Sequence, residues 1–200
     1  MKTVKLTING QQVYAAEGVT ILEAARINGI QIPTLCYHPR LRPLGHCRLC
    51  LVEVEGLEKP VTACDNPVRE GMAVTTDTPL LSQARKEILS LLLSTHPAQD
   101  CLTCEKSGAC ELQEKAYCLG IQVPDPLEKP LLPVLQEEDP LIIRDEQKCI
   151  LCGRCLQVCR EGAGRFVYFP QGNGLSSRVV PFREGRETSL KQAGCIYCGQ

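Results

Sequence analysis

Cys149-Ile150-Leu151-Cys152-Gly153-Arg154-Cys155-Leu156-Gln157-Val158-Cys159 is the segment that most limits what this chain can fold into. Its spacing, C-x2-C-x2-C-x3-C, crowds four thiols onto one loop. At that spacing three thiolates can grip three corners of a [4Fe–4S] cube, and the fourth can reach a neighbouring cluster. A zinc site normally needs only two such pairs, usually far apart in sequence, so the dense run favours iron–sulfur over zinc. The implied chemistry is one-electron transfer.

Fourteen cysteines in 200 residues would suggest a disulfide framework in a secreted protein. The opening Met1-Lys2-Thr3-Val4-Lys5-Leu6 instead reads as a strand and lacks the apolar stretch and cleavage site of a signal peptide. No uninterrupted apolar run approaches the roughly 18 residues of a membrane span. The net charge of −1 argues against a nucleic-acid-binding tail. A reducing cytoplasm is the expected compartment, and there clustered cysteines mean metal or catalysis.

The cysteines divide the chain into units. Residues 1–77 hold Cys36, Cys47, Cys50 and Cys64; residues 78–120 hold His96, Cys101, Cys104, Cys110 and Cys118. A proline-rich linker, 121–140, precedes residues 141–200, which hold Cys149, Cys152, Cys155, Cys159, Cys195 and Cys198. Each unit is too small to rely on an apolar core alone, so metal binding is expected to supply part of its folding free energy.

Two strands are expected around Val4–Thr7 and Gln12–Ala15, joined by the turn signal Asn9-Gly10. Thr20 and Glu23 form a capping-box pattern for a helix that stops at Asn28-Gly29. Two strands, a helix and a cysteine-bearing loop are the order of a β-grasp ferredoxin, and the spacing Cys36-x10-Cys47-x2-Cys50-x13-Cys64 agrees. Gly45 is expected to let the backbone approach a cluster closely, so that amides bond its sulfurs. In the second unit, Thr78-Pro79 starts a helix whose buried stripe is read as Leu80, Leu81, Ala84, Ile88, Leu91 and Leu92.

The segments CYHPRLRPLGHCRLCLVEVEG and KPVTACDNPVREGM, followed by HPAQDCLTCEKSGACELQ, resemble one particular family. It comprises the large iron–sulfur subunit of respiratory complex I, the electron-input modules of [FeFe]-hydrogenases of the bifurcating type, and NAD-dependent formate dehydrogenase alpha subunits. The resemblance implies an α+β chain: a β-grasp [2Fe–2S] domain, a small helical [4Fe–4S] domain and a bacterial-type 2[4Fe–4S] ferredoxin-like domain. By that similarity Cys36, Cys47, Cys50 and Cys64 hold [2Fe–2S], and His96, Cys101, Cys104 and Cys110 hold one [4Fe–4S]. A neutral imidazole in place of a thiolate would raise that cluster's potential. Family members usually place three residues between the histidine and the first cysteine, whereas Pro97-Ala98-Gln99-Asp100 makes four. Cys118 is therefore the rival fourth ligand, otherwise expected as a buried free thiol.

In the third unit a strand is expected at Leu141–Arg144, a short helix after the cluster loop, and turns with short strands between Gly162 and Gly194. In the two-cluster arrangement Cys149, Cys152 and Cys155 take one [4Fe–4S], and Cys159 joins Cys195 and Cys198 on another. The family continues past "CIYCGQ" with further cysteines. The unit is thus expected to be incomplete at its C-terminus, to share ligands with a partner, or to hold a single cubane completed by Cys159.

No Gly-x-Gly-x-x-Gly, P-loop or nucleophilic triad is apparent, so no catalytic site of its own is expected. The expected cofactors are one [2Fe–2S] and two or three [4Fe–4S] clusters. The expected partners are a flavoprotein or NAD(P)-binding subunit and a further redox or catalytic subunit, with no nucleic acid and no membrane span. Such a module would relay single electrons in a formate dehydrogenase, bifurcating hydrogenase or transhydrogenase setting. A zinc-stabilised scaffold or assembly protein and a free-standing polyferredoxin are the competing readings.

Overall fold

The computed structural model of the chain describes residues 2–97, 101–122, 127, 141–142 and 144–199. Strands β1 (Thr3–Ile8) and β2 (Gln11–Ala16) pair antiparallel in full register, from Thr3 opposite Ala16 to Ile8 opposite Gln11. Asn9 (φ 52°) and Gly10 (φ 77°) make the turn, the double left-handed conformation that matches the twist of the flanking strands. Alternation puts Val4, Leu6 and Ile8 of β1 on the buried face.

Helix α1 (Ile21–Ile27) begins with the expected capping box: the Thr20 hydroxyl accepts from the Glu23 amide at 3.2 Å, and the Glu23 carboxylate accepts from the Thr20 amide at 2.9 Å. β3 (Leu51–Val54), β4 (Val61–Thr62) and β5 (Ala73–Thr75) complete a five-stranded sheet of order β2-β1-β5-β3-β4. β1 and β5 run parallel and the other pairs antiparallel. The sheet and α1 enclose a core of Leu6, Ile8, Val13, Ile21, Leu22, Val52 and Val74, in which Cys50 and Cys64 are also buried.

Helix α2 (Pro79–Ser94) starts as expected, with Thr78 accepting from the Leu81 amide and Pro79 in the first turn. Its buried stripe differs from the expected one. Leu81, Arg85, Leu89 and Leu93 face inward, Ile88 and Leu92 flank them, and Leu80 and Leu91 are exposed. The phase is turned by a buried arginine, which apolar periodicity cannot register. With α3 (Glu111–Cys118), α2 forms a second core of Leu35, Leu49, Leu89, Leu93 and Leu112. Cys47, Cys110 and Ile150 pack against this core, so all three cysteine-bearing regions meet there.

Farther along, α4 (Arg154–Gln157) runs into a single π turn, Val158–Gly162. A small antiparallel sheet of β6 (Tyr168–Gln171), β7 (Arg178–Arg183) and β8 (Arg186–Glu187) fills the interval expected to hold short strands. Leu141, Ile142 and Arg144 form no strand; Arg144 instead stacks on Tyr168 at 5.0 Å and donates to the Val179 carbonyl. Most of the expected linker, residues 123–126 and 128–140, lies outside the described residues. Among the described residues no helix is long and apolar enough to cross a membrane.

Candidate metal centres

The first four cysteines converge from three places: Cys36 from the loop after α1, Cys47 and Cys50 from the turn leading into β3, and Cys64 from the residues after β4. Their sulfurs are close enough to share protons. Contact with Cys47 and then Cys64 holds the Cys36 thiol well below the usual thiol range, and contact with Cys64 lowers Cys50. The same contacts push Cys47 and Cys64 up.

Backbone amides surround the group. The Leu35 amide donates to Cys47 Sγ at 3.4 Å; nearby amides favour the thiolates too, those of Leu49 and Leu35 at Cys47, of Cys47 and His46 at Cys36, and of Cys64 and Ala63 at Cys50. Gly45 has φ 63°, and a Cβ there would lie 2.9 Å from the Asp65 carboxylate. The close approach at Gly45 is thus to the residue after Cys64, and the following amide, His46, is one of those that lower the Cys36 thiol.

Sequence reasoning missed Arg85. Arg85 is only 4% exposed, and its guanidinium donates to the carbonyls of Leu49 (3.0 Å), Leu51 (2.7 Å) and Thr76 (2.8 Å). Leu49 and Leu51 flank Cys50, so a side chain of α2 fixes the backbone on both sides of a ligand. Desolvation lowers the Arg85 pKa, opposed first by Asp77 at 4.0 Å. Its place four residues after Leu81 and four before Leu89, in phase with the buried leucines, is the only sequence signal it leaves.

His96, Cys101, Cys104 and Cys110 line one cavity of about 290 Å³, roomier than a single ion requires. Cys152, Ile150 and Lys148 line it too. Residues 98–100, which carry the unusual spacing between His96 and Cys101, lie outside the described residues. Cys118 does not line the cavity and is exposed, which corrects the expectation of a buried thiol.

In the third group, Cys155 is exposed as a residue, but desolvation of its sulfur pushes the thiol up, with Cys152 and Cys149 beside it adding to the shift. Burial also raises Tyr168, and Cys155, Cys195 and Cys159 act on its hydroxyl in the same sense. The two Cys-x2-Cys-Gly turns share a backbone form: Leu151 (φ 54°) and Gly153 (φ 76°) in one, Tyr197 (φ 51°) and Gly199 (φ 71°) in the other. The Tyr197 amide donates to Cys195 Sγ at 3.4 Å.

Among the described residues, no group of three or more His, Cys, Asp or Glu is spaced around a single metal ion. Iron–sulfur clusters spread their ligands over several irons, and a thiolate set wrapped by amide donors has the chemistry they need. The first centre fits on its mutually contacting thiols, with an amide on Cys47, and the second on its histidine and three cysteines facing one space. Such a fold, with such sites, defines a multi-cluster iron–sulfur protein.

Known proteins agree. A family described as 2Fe-2S iron-sulfur cluster binding domain matches residues 1–79, the NADH-ubiquinone oxidoreductase-G iron-sulfur binding region matches 85–124, and a 4Fe-4S binding domain matches 142–163. The mitochondrial NADH dehydrogenase (ubiquinone) iron-sulfur protein 1 of Solanum tuberosum is 38% identical over 186 aligned residues, 93% of this chain and 25% of that protein. The NADPH-Fe(3+) oxidoreductase subunit alpha of Geobacter sulfurreducens is 42% identical over 80% of this chain and 19% of its own length. The NADP-reducing hydrogenase subunit HndD of Solidesulfovibrio fructosivorans is 38% identical over 100% of this chain and 34% of its own. One chain in the crystal structure of an NAD+-reducing [NiFe]-hydrogenase superposes with a TM-score of 0.75 at 32% identity, covering 89% of this chain and 74% of that one. The chain belongs to this family of iron–sulfur electron-transfer subunits of NAD(P)-linked oxidoreductases. It spans about a fifth to a third of the length of these curated relatives.

Proposed function

We propose that the chain is the electron relay of a cytoplasmic flavin- and NAD(P)-linked oxidoreductase complex. In this reading residues 1–77 are a β-grasp domain holding [2Fe–2S] on Cys36, Cys47, Cys50 and Cys64. Residues 78–120 hold one [4Fe–4S] on His96, Cys101, Cys104 and Cys110, with Cys118 left out. Residues 141–200, beyond the 121–140 linker, are ferredoxin-like: Cys149, Cys152 and Cys155 serve one cubane, and Cys159, Cys195 and Cys198 serve another. The repeated turn at Cys195–Gly199 favours two cubanes over one completed by Cys159. The partners are a flavoprotein or NAD(P)-binding subunit on one side and a further redox or catalytic subunit on the other.

The observation that carries the proposal is the convergence of the sites. Cys47 and Cys110 pack against the same apolar core, and Cys152 faces the same cavity as His96, Cys101, Cys104 and Cys110. The clusters, when bound, store and release single electrons. The chain's part is to set their ligands, their separation and the amide bonds that tune them.

The test is iron, acid-labile sulfide and zinc per chain, on protein purified without oxygen. One [2Fe–2S] with three cubanes gives about 14 irons, and with two cubanes about 10, each with matching sulfide. Zinc with little sulfide would establish the scaffold reading instead.

A further inference from the structure

Arg154 lies between Cys152 and Cys155, and its side chain leaves its own loop for the other two. Nη1 and Nη2 donate to the two Glu111 carboxylate oxygens at 3.0 and 2.8 Å, and Nη2 also donates to the Tyr37 carbonyl at 3.0 Å. Glu111 follows Cys110 and Tyr37 follows Cys36. One guanidinium therefore touches the residue beside a cysteine of each of the other two centres while itself sitting between two cysteines of the third. We infer that Arg154 is a positioning residue that locks the three cluster loops at fixed separations and places one permanent positive charge among their clusters. The inference rests on the ligand sets proposed above.

Stability alone does not account for this arrangement. The Arg154 and Glu111 side chains are 30% and 53% exposed, and an ion pair so placed contributes little net free energy. A planar fork closed on a carboxylate gives direction, which a point charge on a flexible stem does not. Direction matters here because electron tunnelling decays exponentially with distance, so a small slip between loops changes the rate severalfold. The junction is reinforced nearby: a Cβ on Gly153 would lie 2.9 Å from His46 Nδ1, and the Arg42 amide donates to Glu161 at 3.1 Å. The charge acts separately from the geometry. Adding an electron to a cluster is favoured by a neighbouring cation and opposed by a neighbouring anion.

These two roles separate in three variants of the cluster-loaded chain. The measurements are iron and sulfide content, cluster potentials by EPR-monitored redox titration, and inter-cluster interaction by spin-relaxation enhancement. R154Q is expected to lower the potentials of the neighbouring clusters and weaken their magnetic interaction. R154K keeps the charge and loses the fork, so potentials recover while the interaction stays weak. E111Q removes an anion, so it weakens the interaction but raises the potential of the middle cluster. If R154Q does not load, E111Q against the unaltered chain decides the matter. Fully loaded R154Q and E111Q with unchanged potentials and interaction, or with potentials moving in the same direction, would overturn the inference alone. An unaltered chain that binds no cluster would overturn the ligand sets and this inference together.

Discussion

Residues 2–77 and residues 144–199 treat their cysteines in opposite ways. In the first region Cys36, Cys50 and Cys64 are buried beside a continuous apolar core closed by a five-stranded sheet and α1. In the last region Cys155 and Cys198 are exposed, the others are half-buried, and only a few apolar side chains, among them Val167, Val180 and Leu190, are buried. A core that exists before the metal can present a preformed ligand set. A loop without one must obtain its order from the cluster it wraps.

The widest separation between the regions is expected on leaving out iron. In the cluster-free chain, hydrogen exchange at β1, β5 and α1 stays slow, while the amides of 144–199 exchange at the rate of an unfolded chain. Equal protection in both regions would break the comparison. Next, Cys110→Ser removes about four irons per chain, the content of one cubane, whereas Cys118→Ser removes none. Iron analysis of the two variants decides whether the cavity or the exposed α3 thiol carries the ligand.

Arg85 ties the first region to α2, the helix that carries it, by holding the carbonyls on either side of Cys50. Arg85→Met leaves three carbonyls without their donor and is expected to cost about 4 kcal/mol of unfolding free energy. Thermal and denaturant unfolding of the loaded chain measures it, with the first region losing stability along with α2. Smaller still is Gly45→Ala, which forces a side chain into φ 63° against Asp65. It should cost about 1–2 kcal/mol, read from the same denaturant midpoints, and loosen cluster retention only in the first region.

What could be read from the sequence follows the range of the signal. The Asn9-Gly10 turn and the Thr20–Glu23 box act within four residues, and both formed as expected. The cysteine spacings are similarly local. The parallel pairing of β1 with β5 joins segments about seventy residues apart, from Thr7 to Ala73, and leaves no local trace. The α2 stripe was misread because hydrophobic periodicity treats arginine as solvent-facing, whereas Arg85 finds buried carbonyls. Leu141, Ile142 and Arg144, part of an expected strand, form none, and Arg144 turns to Tyr168 and Val179 instead. Nothing in the run from Cys149 to Cys159 indicates that Arg154, between its cysteines, reaches Glu111 and Tyr37.

EPR of the anaerobically prepared chain during stepwise reduction tests the central claim most directly. The account predicts one slowly relaxing [2Fe–2S] signal and at least two fast-relaxing [4Fe–4S] signals, appearing one electron at a time and broadening one another as neighbours fill. A colourless protein that stays silent on full reduction, with zinc in its cysteine sites, would contradict it.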